Sequence, residues 1–478
     1  MFDIYLLTEE CPKKSSICLI INQLLKDFFN VQMKFNIPVE SCTIEPNYFN
    51  NFENKKVLLR NYSFRTPYLS HIGIKRVYII GVSGYSSFCD YMVFVKEIKD
   101  NEILSRFPNQ NDEPLMIIEE TKTSDKESRN TGVYQRAIKF TYAQHFYPKS
   151  KLYMLYNNDY NPDHDNPSDT NVFGTNVLLT LGVSIIGKET YMHYYNKFNS
   201  VQELINAKNQ MILPRNGQPI RIDYSDNSCI KISCRLIKND KIAHDPNIGT
   251  VSCIAAGLRK LGYSGNIVIT NHQLNQNILN SSHGNKLLFI CSILKMSLDG
   301  LSMPTINIPA SYWHDENESE KIASIYLQIL SDKYGLKTVY QNHAGCERSY
   351  FISKNNEAIT VPKKIEGIKI SIPDLVILCP NENNFYYYTL IEGKKLSTLY
   401  NGLNEVDEYS IFENLFLKDK NLGFPDFPIY RALTIFGGEL DELPDDRVLL
   451  YINKYGKIFT NPNAPFPWNV IFQKEGLC

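Results

Sequence analysis

The chain has 478 residues, of which 43% are hydrophobic and 21% are charged, and this composition excludes wholesale disorder. A net charge of −1 and a sequence pI near 6.8 exclude a polycation that coats nucleic acid without specificity, because such proteins need a large excess of lysine and arginine. A local basic groove is not excluded, since only the charge near such a groove matters.

The length exceeds what one hydrophobic core normally organises, so we expect two or three domains. The eleven cysteines are scattered without a CxxC pair, and the first residues carry acids before the first lysine, unlike a secretory leader. No apolar run approaches the roughly 18 residues needed to span a bilayer. We therefore expect reduced thiols in a cytoplasmic protein.

Residues 1–160 are predicted to form one α/β domain. Apolar residues recur at helical spacing in ICLIINQLLKDFF, and apolar runs of strand length follow at RVYIIGV, DYMVFV and PLMIIEE. A helix is expected over VYQRAIKFTYAQHF and a strand over KLYMLY. The polar segment 157–171, punctuated by proline, then predicts a loop and a domain boundary.

Residues 172–310 are predicted to form a middle α+β region. Helical patterns occur in TNVLLTLG and VSCIAAGLRKLG, and strand patterns occur in IRIDY, IKISCRLI and NIVIT. The segment 271–285 is rich in Asn and Gln, whose side chains hydrogen-bond in two directions, and an ordinary loop has the same composition.

Residues 311–478 repeat the outline of the first domain. A helix is expected over SEKIASIYLQILSDKYG, followed by strands over KTVYQ, RSYFI, DLVIL and FYYYTLIEG. A helix over NEVDEYSIFENLFL and strands over RALTIFG and RVLLYIN complete the series. Both outer parts of the chain thus predict helix, strands, helix and strand, although their residues show no strong similarity.

The C-terminal part carries an acid on one predicted strand and acid-x-Lys at the end of the next. Asp374 begins DLVIL, and Glu392 and Lys394 end YYYTLIEGKK. Adjacent strands can bring two carboxylates to one end of a sheet, and the period of two places Lys394 on the face of Glu392. Mg²⁺ usually takes one or two carboxylates, waters and a substrate phosphate. We therefore predict a phosphodiesterase centre in which Asp374 and Glu392 bind the metal and Lys394 stabilises negative charge.

The same pattern occurs near the N-terminus, where Asp90 precedes YMVFV and Glu120 and Lys122 follow PLMIIE. Asp90 and Glu120 are the predicted metal ligands, with Lys122 beside them. Glu119 would face the site instead if the strand register moved by one residue, but the spacing to Lys122 favours Glu120. Acid-x-Lys is also common at solvated strand ends, so the upstream acid is what distinguishes both sets.

These residues resemble the motif of the PD-(D/E)xK nuclease superfamily, and within it type II restriction endonucleases. The C-terminal set matches more closely, with Pro373-Asp374 followed 18 positions later by Glu392-Gly393-Lys394. The N-terminal set has Cys89 in place of the proline and 30 positions between its acids. The resemblance implies an α/β fold with two restriction-endonuclease-like domains, each a central mixed sheet flanked by helices, joined by the middle α+β region.

The resemblance also implies roles for residues outside the motif. In related nucleases the helix after the acid-x-Lys strand often contributes a Gln or Arg to the site, which points to Gln135 and Arg136 as DNA-binding residues. Arg129 and Asn130, in the preceding loop, are candidates for the same role. The segment 271–285 is a candidate for base recognition, because Asn and Gln can read adenine in the major groove.

Acids on the first helix of such domains sometimes add a metal ligand, and Glu318 and Glu320 are candidates in the C-terminal part. An acid is also favoured near a helix N-terminus by the helix macrodipole, which offers an ordinary explanation for both.

The resemblance therefore implies a cytoplasmic, Mg²⁺-dependent type II restriction endonuclease that acts on a specific sequence in double-stranded DNA, each domain cutting one strand. A cognate DNA methyltransferase is expected as a genetic partner, and the chain is expected to act as a monomer or homodimer. Two alternatives stay open. In the first, only one centre is active and the protein works as a dimer. In the second, the chain is a non-catalytic DNA-binding protein on a nuclease scaffold.

Overall fold

A computed structural model of the chain describes residues 1–9, 12–31, 42–43, 48–50, 56–58, 61–64, 67–84, 88–99, 105–121, 132–157, 167–211, 220–226, 228–238, 241–242, 247–281, 284–315, 320–342, 349–362, 364–365, 367–383 and 385–477. Four residues singled out above lie outside these ranges: Lys122, Arg129, Asn130 and Glu318.

The regular elements up to residue 298 are β1 (Phe2–Thr8), α1 (Lys14–Phe28), β2 (Cys42–Thr43), β3 (Tyr48–Asn50), β4 (Lys56–Leu58), β5 (Asn61–Phe64), α2 (Pro67–His71), β6 (Ile74–Gly84), β7 (Tyr91–Glu97), β8 (Met116–Thr121), α3 (Gly132–Phe146), β9 (Lys151–Tyr156), α4 (Asp169–Leu181), β10 (Val183–Ile186), α5 (Val201–Gln210), β11 (Arg221–Asp226), β12 (Cys229–Ser233), β13 (Ile237–Lys238), β14 (Lys241–Ile242), α6 (Gly249–Lys260), β15 (Asn266–Thr270), α7 (Gln276–Leu279), α8 (Asn285–Leu294) and β16 (Met296–Leu298).

The remaining elements are β17 (Trp313–Asp315), α9 (Ile322–Lys333), β18 (Lys337–Gln341), β19 (Ser349–Ile352), β20 (Ala358–Val361), β21 (Lys364–Ile365), β22 (Ile368–Lys369), β23 (Leu375–Pro380), β24 (Tyr386–Lys395), α10 (Leu399–Glu405), α11 (Ser410–Phe412), β25 (Ile429–Phe436), β26 (Val448–Ile452), β27 (Ile458–Thr460) and α12 (Trp468–Lys474).

The chain forms two compact units. The outer unit comprises residues 1–83, 94–108 and 314–478, and the inserted unit comprises residues 84–93 and 109–313. Strand β7 contributes to both, since its residues up to Val93 belong to the inserted unit and those from Phe94 belong to the outer unit. This division differs from the three predicted segments: residues 1–160 contribute to both units, whereas the middle region 172–310 lies wholly in the inserted unit.

The inserted unit carries the first predicted centre. Its strands lie in the order β10-β9-β8-β7, in which β7 is antiparallel to β8 while β8, β9 and β10 are parallel. A second sheet of order β11-β12-β15-β16 belongs to the middle region, and helices α3, α4 and α6 pack on one another. Helix α4 begins after Ser168, whose hydroxyl accepts a hydrogen bond from the Asn171 amide, and ends at Gly182 with φ of +90°.

The outer unit carries the second predicted centre. A six-stranded mixed sheet of order β18-β23-β24-β25-β26-β27 is antiparallel from β18 to β24, parallel from β24 to β26 and antiparallel again at β27. Strand β24 is buried along most of its length, which fits its nearly continuous apolar sequence at the centre of a sheet. The first part of the chain contributes strands to a different sheet, in the order β7-β1-β6-β5-β2, with β1 parallel to β6.

The helices lie on both faces of the six-stranded sheet. Residues Leu390 and Leu433 pack in one apolar cluster with Leu399, Leu403 and Phe412 of the segment that follows β24. Helix α9 contacts β23, β24, β25 and β26, and it approaches β24 at Gly393, whose missing Cβ would point toward this helix. Because successive residues of a strand face opposite ways, α9 and the segment 399–417 cover opposite faces.

The coarse expectation of an α/β protein with mixed sheets flanked by helices is confirmed. Strand β1, in MFDIYLLT, is an addition that the sequence analysis does not predict. The expected helix over NEVDEYSIFENLFL is broken into α10, α11 and a π-helical turn at Glu413–Leu417. No helix within the described ranges has the length and apolar character required to cross a membrane.

Candidate functional site

The two carboxylates of the C-terminal set meet at the end of two adjacent antiparallel strands. Asp374 directly precedes β23, and the pairing of Leu375 with Ile391 places it opposite Glu392 in β24. The backbone amide of Asp374 donates to the carbonyl of Ile391 at 3.1 Å, and the amide of Gly393 donates to Oδ2 of Asp374 at 3.0 Å. These bonds hold the Asp374 carboxylate at the same end of the two strands as Glu392, as the prediction expects.

Lys394 lies beside Glu392 as the period of two predicts. Its Nζ is 2.7 Å from Oε1 of Glu392 and 2.7 Å from Oε2 of Glu405, an acid at the end of α10. The hydroxyl of Tyr409 donates a hydrogen bond to Oε2 of Glu392, so both oxygens of this carboxylate have partners. Asp374, Glu392 and Lys394 are thus brought together, and Glu405 and Tyr409 join them from the segment after β24.

A second lysine, which the sequence analysis does not predict, contacts the other carboxylate. Lys321 directly precedes α9, and its Nζ is 2.8 Å from Oδ1 of Asp374 and 2.7 Å from the carbonyl oxygen of Asn342. The prediction for this segment concerns acids, Glu318 and Glu320. Glu320 places its backbone carbonyl close to Gly393, and the adjacent lysine is the residue that reaches the site.

Gly393, the middle residue of the acid-x-Lys motif, lies where a side chain would be crowded. A Cβ built on it would lie 3.0 Å from the carbonyl oxygen of Glu320, 3.0 Å from Oγ of Ser324 and 3.2 Å from Oδ2 of Asp374. Such distances are shorter than ordinary carbon contacts. The absence of a side chain therefore lets α9 approach β24 at the point where the two acids meet.

Burial dominates the electrostatics of this site. Together with the negative charge of Asp374, and against the Lys394 ammonium, it raises the pKa of Glu392 to about 8. Burial also raises the pKa of Asp374, against the opposing charge of Lys321. For Lys394 burial lowers the pKa, but the charges of Glu392 and Glu405 outweigh it and the pKa is raised. Two acids whose ionised form is disfavoured by burial are a pair that a divalent cation would stabilise.

The donor set at Asp374 and Glu392 suits Mg²⁺ in type and number. Both side chains offer carboxylate oxygens, and Mg²⁺ commonly takes one or two carboxylates, with water and phosphate completing six ligands. Among the residues that the structure describes, no group of three or more His, Cys, Asp and Glu side chains could hold a metal. A cation at this edge would therefore take only two ligands from side chains and the others from water and substrate.

The N-terminal set differs from its prediction in register. Asp90 directly precedes β7, and the pairing of Tyr91 with Ile118 places it opposite Glu119 of β8, one residue before the predicted Glu120. The amide of Asp90 donates to Oε1 of Glu119 at 3.2 Å, and the amide of Glu120 donates to Oδ2 of Asp90 at 2.7 Å. The side chain that faces Asp90 is therefore that of Glu119.

Glu120 points to the opposite face of the sheet. Its Oε2 accepts a hydrogen bond from the hydroxyl of Tyr91, and its Oε1 accepts one from Nδ2 of Asn157 at 3.2 Å. This arrangement follows from pairing, because Tyr91, Ile118 and Glu120 must share a face when Tyr91 lies opposite Ile118. The predicted partner of Glu120, Lys122, lies outside the described residues.

The lysine that contacts these acids comes from helix α3. Nζ of Lys139 is 2.8 Å from Oε1 of Glu119 and 3.9 Å from Oδ1 of Asp90. Burial and the charge of Asp90 raise the pKa of Glu119 to about 8, against the opposing charge of Lys139. As at the C-terminal site, a buried acid lies beside a second acid and a lysine.

The residues predicted on α3 lie close to this cluster. Gln135 is four residues before Lys139 on the same helix face and is half-buried. Arg136 donates from Nη2 to Oγ1 of Thr121 at 2.9 Å, and its charge lowers the pKa of Glu119. Their neighbours in the prediction, Arg129 and Asn130, lie outside the described residues.

The first residues of the Asn-rich segment, 271–275, connect β15 to α7. His272 is buried, with one ring nitrogen 2.8 Å from the carbonyl oxygen of Asp299 and the other accepting from the amide of Leu274 at 3.0 Å. Asn271 and Gln273 on either side are exposed and have φ of +56° and +60°. Two exposed amide side chains thus lie on either side of a buried histidine. Base recognition by these side chains stays a prediction.

No family model, no curated protein and no solved structure matches this chain.

Proposed function

We propose that this chain is a Mg²⁺-dependent, sequence-specific DNA endonuclease of the type II restriction class, with one PD-(D/E)xK-like centre in each of its two compact units. The observation that carries the proposal is the C-terminal site. There two acids lie opposite each other on adjacent strands, and the lysine of the acid-x-Lys motif contacts one of them, with 2.7 Å between Lys394 Nζ and Glu392 Oε1.

The reaction would be hydrolysis of a phosphodiester bond. A water oxygen bonds to phosphorus, the bond from phosphorus to the leaving sugar oxygen breaks, the water releases a proton to solvent, and the leaving oxygen takes one up. Bound Mg²⁺ would supply the Lewis acid and lower the pKa of a water. Asp374 and Glu392 would hold it, because they are the two carboxylates that converge at this edge.

The lysines would then divide two tasks. Lys394, on the face of Glu392, can donate a hydrogen bond to the phosphate and stabilise its negative charge as the new bond forms. Lys321 would orient Asp374, because its ammonium is held between Oδ1 of that acid and the carbonyl of Asn342. Tyr409 would orient Glu392 from the other side through its hydroxyl.

The second centre, around Asp90, supports the idea that one chain cuts both strands of a duplex. It lies in the inserted unit, whereas Asp374 lies in the outer unit, so each compact unit carries one acidic centre. A single chain would then suffice for a double-strand break, and an asymmetric recognition sequence would be accessible to it. The exposed side chains of Gln273 and of Asn271, whose Nδ2 donates to Oγ of Ser233 at 2.8 Å, are those we propose for base recognition.

The test uses long, unmethylated duplex DNA of varied sequence, incubated with the purified chain and either Mg²⁺ or EDTA. We expect discrete fragments with Mg²⁺ and none with EDTA. The sequenced ends of these fragments should share one short motif. Lys394→Ala should cut one strand at that motif roughly 10²–10³-fold more slowly. Lys395→Ala is the matched control, because Lys395 is the next residue of β24 and its side chain lies on the opposite face of the sheet from that of Lys394. Failure of the wild-type chain to cut any duplex, or normal cutting by Lys394→Ala, would refute the proposal.

A further inference from the structure

The two centres have the same backbone register. Asp374 lies opposite Glu392, and Asp90 lies opposite Glu119, because the residue after each aspartate pairs with the residue before each glutamate. In both, the amide that follows the glutamate donates to Oδ2 of the aspartate, at 3.0 Å from Gly393 and at 2.7 Å from Glu120.

This correspondence aligns the motifs residue by residue. Glu119 takes the position of Glu392, and Glu120 takes that of Gly393, so Thr121 takes the position of Lys394. Thr121 cannot supply an ammonium, and its hydroxyl accepts a hydrogen bond from Arg136. In the aligned register, the described part of β8 therefore has a threonine at the position of Lys394.

An ammonium is nevertheless present at the equivalent place. Lys139 Nζ is 2.8 Å from Glu119 Oε1, and Lys394 Nζ is 2.7 Å from Glu392 Oε1. Lys139 also lies 3.9 Å from Oδ1 of Asp90, so it contacts both acids of its centre. It projects from α3, the helix that follows β8 in the chain, and so reaches the centre from a different element.

We propose that the N-terminal centre consists of Asp90, Glu119 and Lys139, with the lysine supplied by helix α3 in place of the strand. Lys139 would stabilise the negative charge of the phosphate there, as Lys394 would at the C-terminal centre. This inference rests on the proposed function. An ion pair that serves stability alone would require only Glu119 and Lys139, and would not need the approach of Lys139 to Asp90.

The experiment uses a supercoiled plasmid that carries one recognition sequence, identified from the fragment ends. Lys139→Ala and Glu119→Gln are expected to leave a nicked circle, with cutting of one strand slowed roughly 10²–10³-fold. The strand still cut should be the one that Lys394→Ala fails to cut. The surviving nick shows that the outer unit of each variant is folded, and Mn²⁺ binding by Lys139→Ala tests the inserted unit. Lys149→Ala, at an exposed lysine of the same unit, is the matched control and should still linearise the plasmid.

A second measurement does not depend on cutting. Mn²⁺ binding to the DNA-free chain, followed by the electron paramagnetic resonance of free Mn²⁺, should reveal two sites in the wild type. We expect one in Glu119→Gln and two in Lys139→Ala.

Three outcomes would overturn the inference while Lys394→Ala still supports the proposed function: normal linearisation by Lys139→Ala, nicking by Glu120→Gln but not by Glu119→Gln, or two Mn²⁺ sites in Glu119→Gln. A wild-type chain that leaves the plasmid intact would refute both.

Discussion

Replacing Gly393 by alanine would test whether the contact between α9 and β24 holds the C-terminal site together. The new methyl group would meet the carbonyl oxygen of Glu320 and Oγ of Ser324, each at 3.0 Å, and Oδ2 of Asp374 at 3.2 Å. None of these atoms is the free end of a flexible chain. The first is backbone, Ser324 donates to the carbonyl of Lys321, and Asp374 accepts from Gly393 itself. Helix α9 must therefore move by a few tenths of an ångström.

The expected size of the effect follows from two opposing contributions. Overpacking of this kind costs roughly 1–3 kcal/mol, whereas a Gly-to-Ala change recovers about 0.4–1 kcal/mol by restricting the unfolded chain. A net loss of about 0.5–2 kcal/mol would lower Tm by roughly 1–8 °C for a unit of this size. If the proposed function holds, cutting of one strand should slow by about tenfold or more, because the displaced atom belongs to Asp374.

Thermal unfolding followed by circular dichroism measures the first effect, and strand-specific cleavage measures the second. Ser324→Ala serves as the control and as a partner, since it removes one of the three close atoms. The double variant should lose less stability than the two single variants combined, with a difference of about 0.5 kcal/mol or more. A Gly393→Ala chain with wild-type Tm, or strict additivity with Ser324→Ala, would refute this account of the packing.

Three further predictions concern stability. The pKa of Glu392 is about 8 in the fold against an ordinary 4.5, so the folded state keeps this proton between about pH 4.5 and 8 while the unfolded chain releases it. The contribution of Glu392 to stability should therefore fall as pH rises through that window, by at most about 5 kcal/mol at ~1.4 kcal/mol per pH unit, and Glu392→Gln should reduce the measured slope in urea titrations from pH 5 to 9. Arg431→Met leaves Glu413 without its two hydrogen bonds of 2.7 and 2.8 Å, and should cost roughly 3 kcal/mol by urea unfolding. Thr389→Val leaves the buried indole of Trp468 without its acceptor at 3.1 Å and should cost about 1–3 kcal/mol, seen as a lower Tm.

Each has a control or an outcome that counts against it. An unchanged pH slope in Glu392→Gln would show that this proton is not retained by the fold. Arg447→Met, at an exposed arginine with acids at 3.5 and 3.7 Å, should cost less than about 1 kcal/mol, and an equal loss at both arginines would contradict the role of burial. Thr389→Ser keeps a hydroxyl, and it should retain more stability than the valine variant.

The C-terminal site was predictable because its parts are local in the chain. Strands β23 and β24 form a hairpin with a short connection, which limits the possible registers, and the observed pairing brings Asp374 opposite Glu392. The lysine then follows from the period of two. Lys321 was not predictable in the same way, because a lysine before a helix has the same sequence appearance whether it faces solvent or a carboxylate.

The N-terminal site shows where sequence reasoning fails. Strands β7 and β8 are joined by residues 98–115, a connection too long to determine their register, so the choice between Glu119 and Glu120 depended on the position of Lys122. The observed pairing of Tyr91 with Ile118 selects Glu119. Strand β1 was missed for a related reason, since its parallel partner β6 begins more than sixty residues later.

The interrupted layout of the outer unit has a consequence for biosynthesis. Its first 83 residues leave the ribosome long before residues 314–478, which complete the same unit. At ~5–20 residues per second, translation of the intervening segment takes roughly 10–50 s. During this interval the N-terminal segment, which includes the buried side chains of Ile4, Leu6 and Leu24, lacks the C-terminal part of its unit. The inserted unit can fold first, so a nascent chain acquires the Asp90 centre before Asp374 and Glu392 have been synthesised.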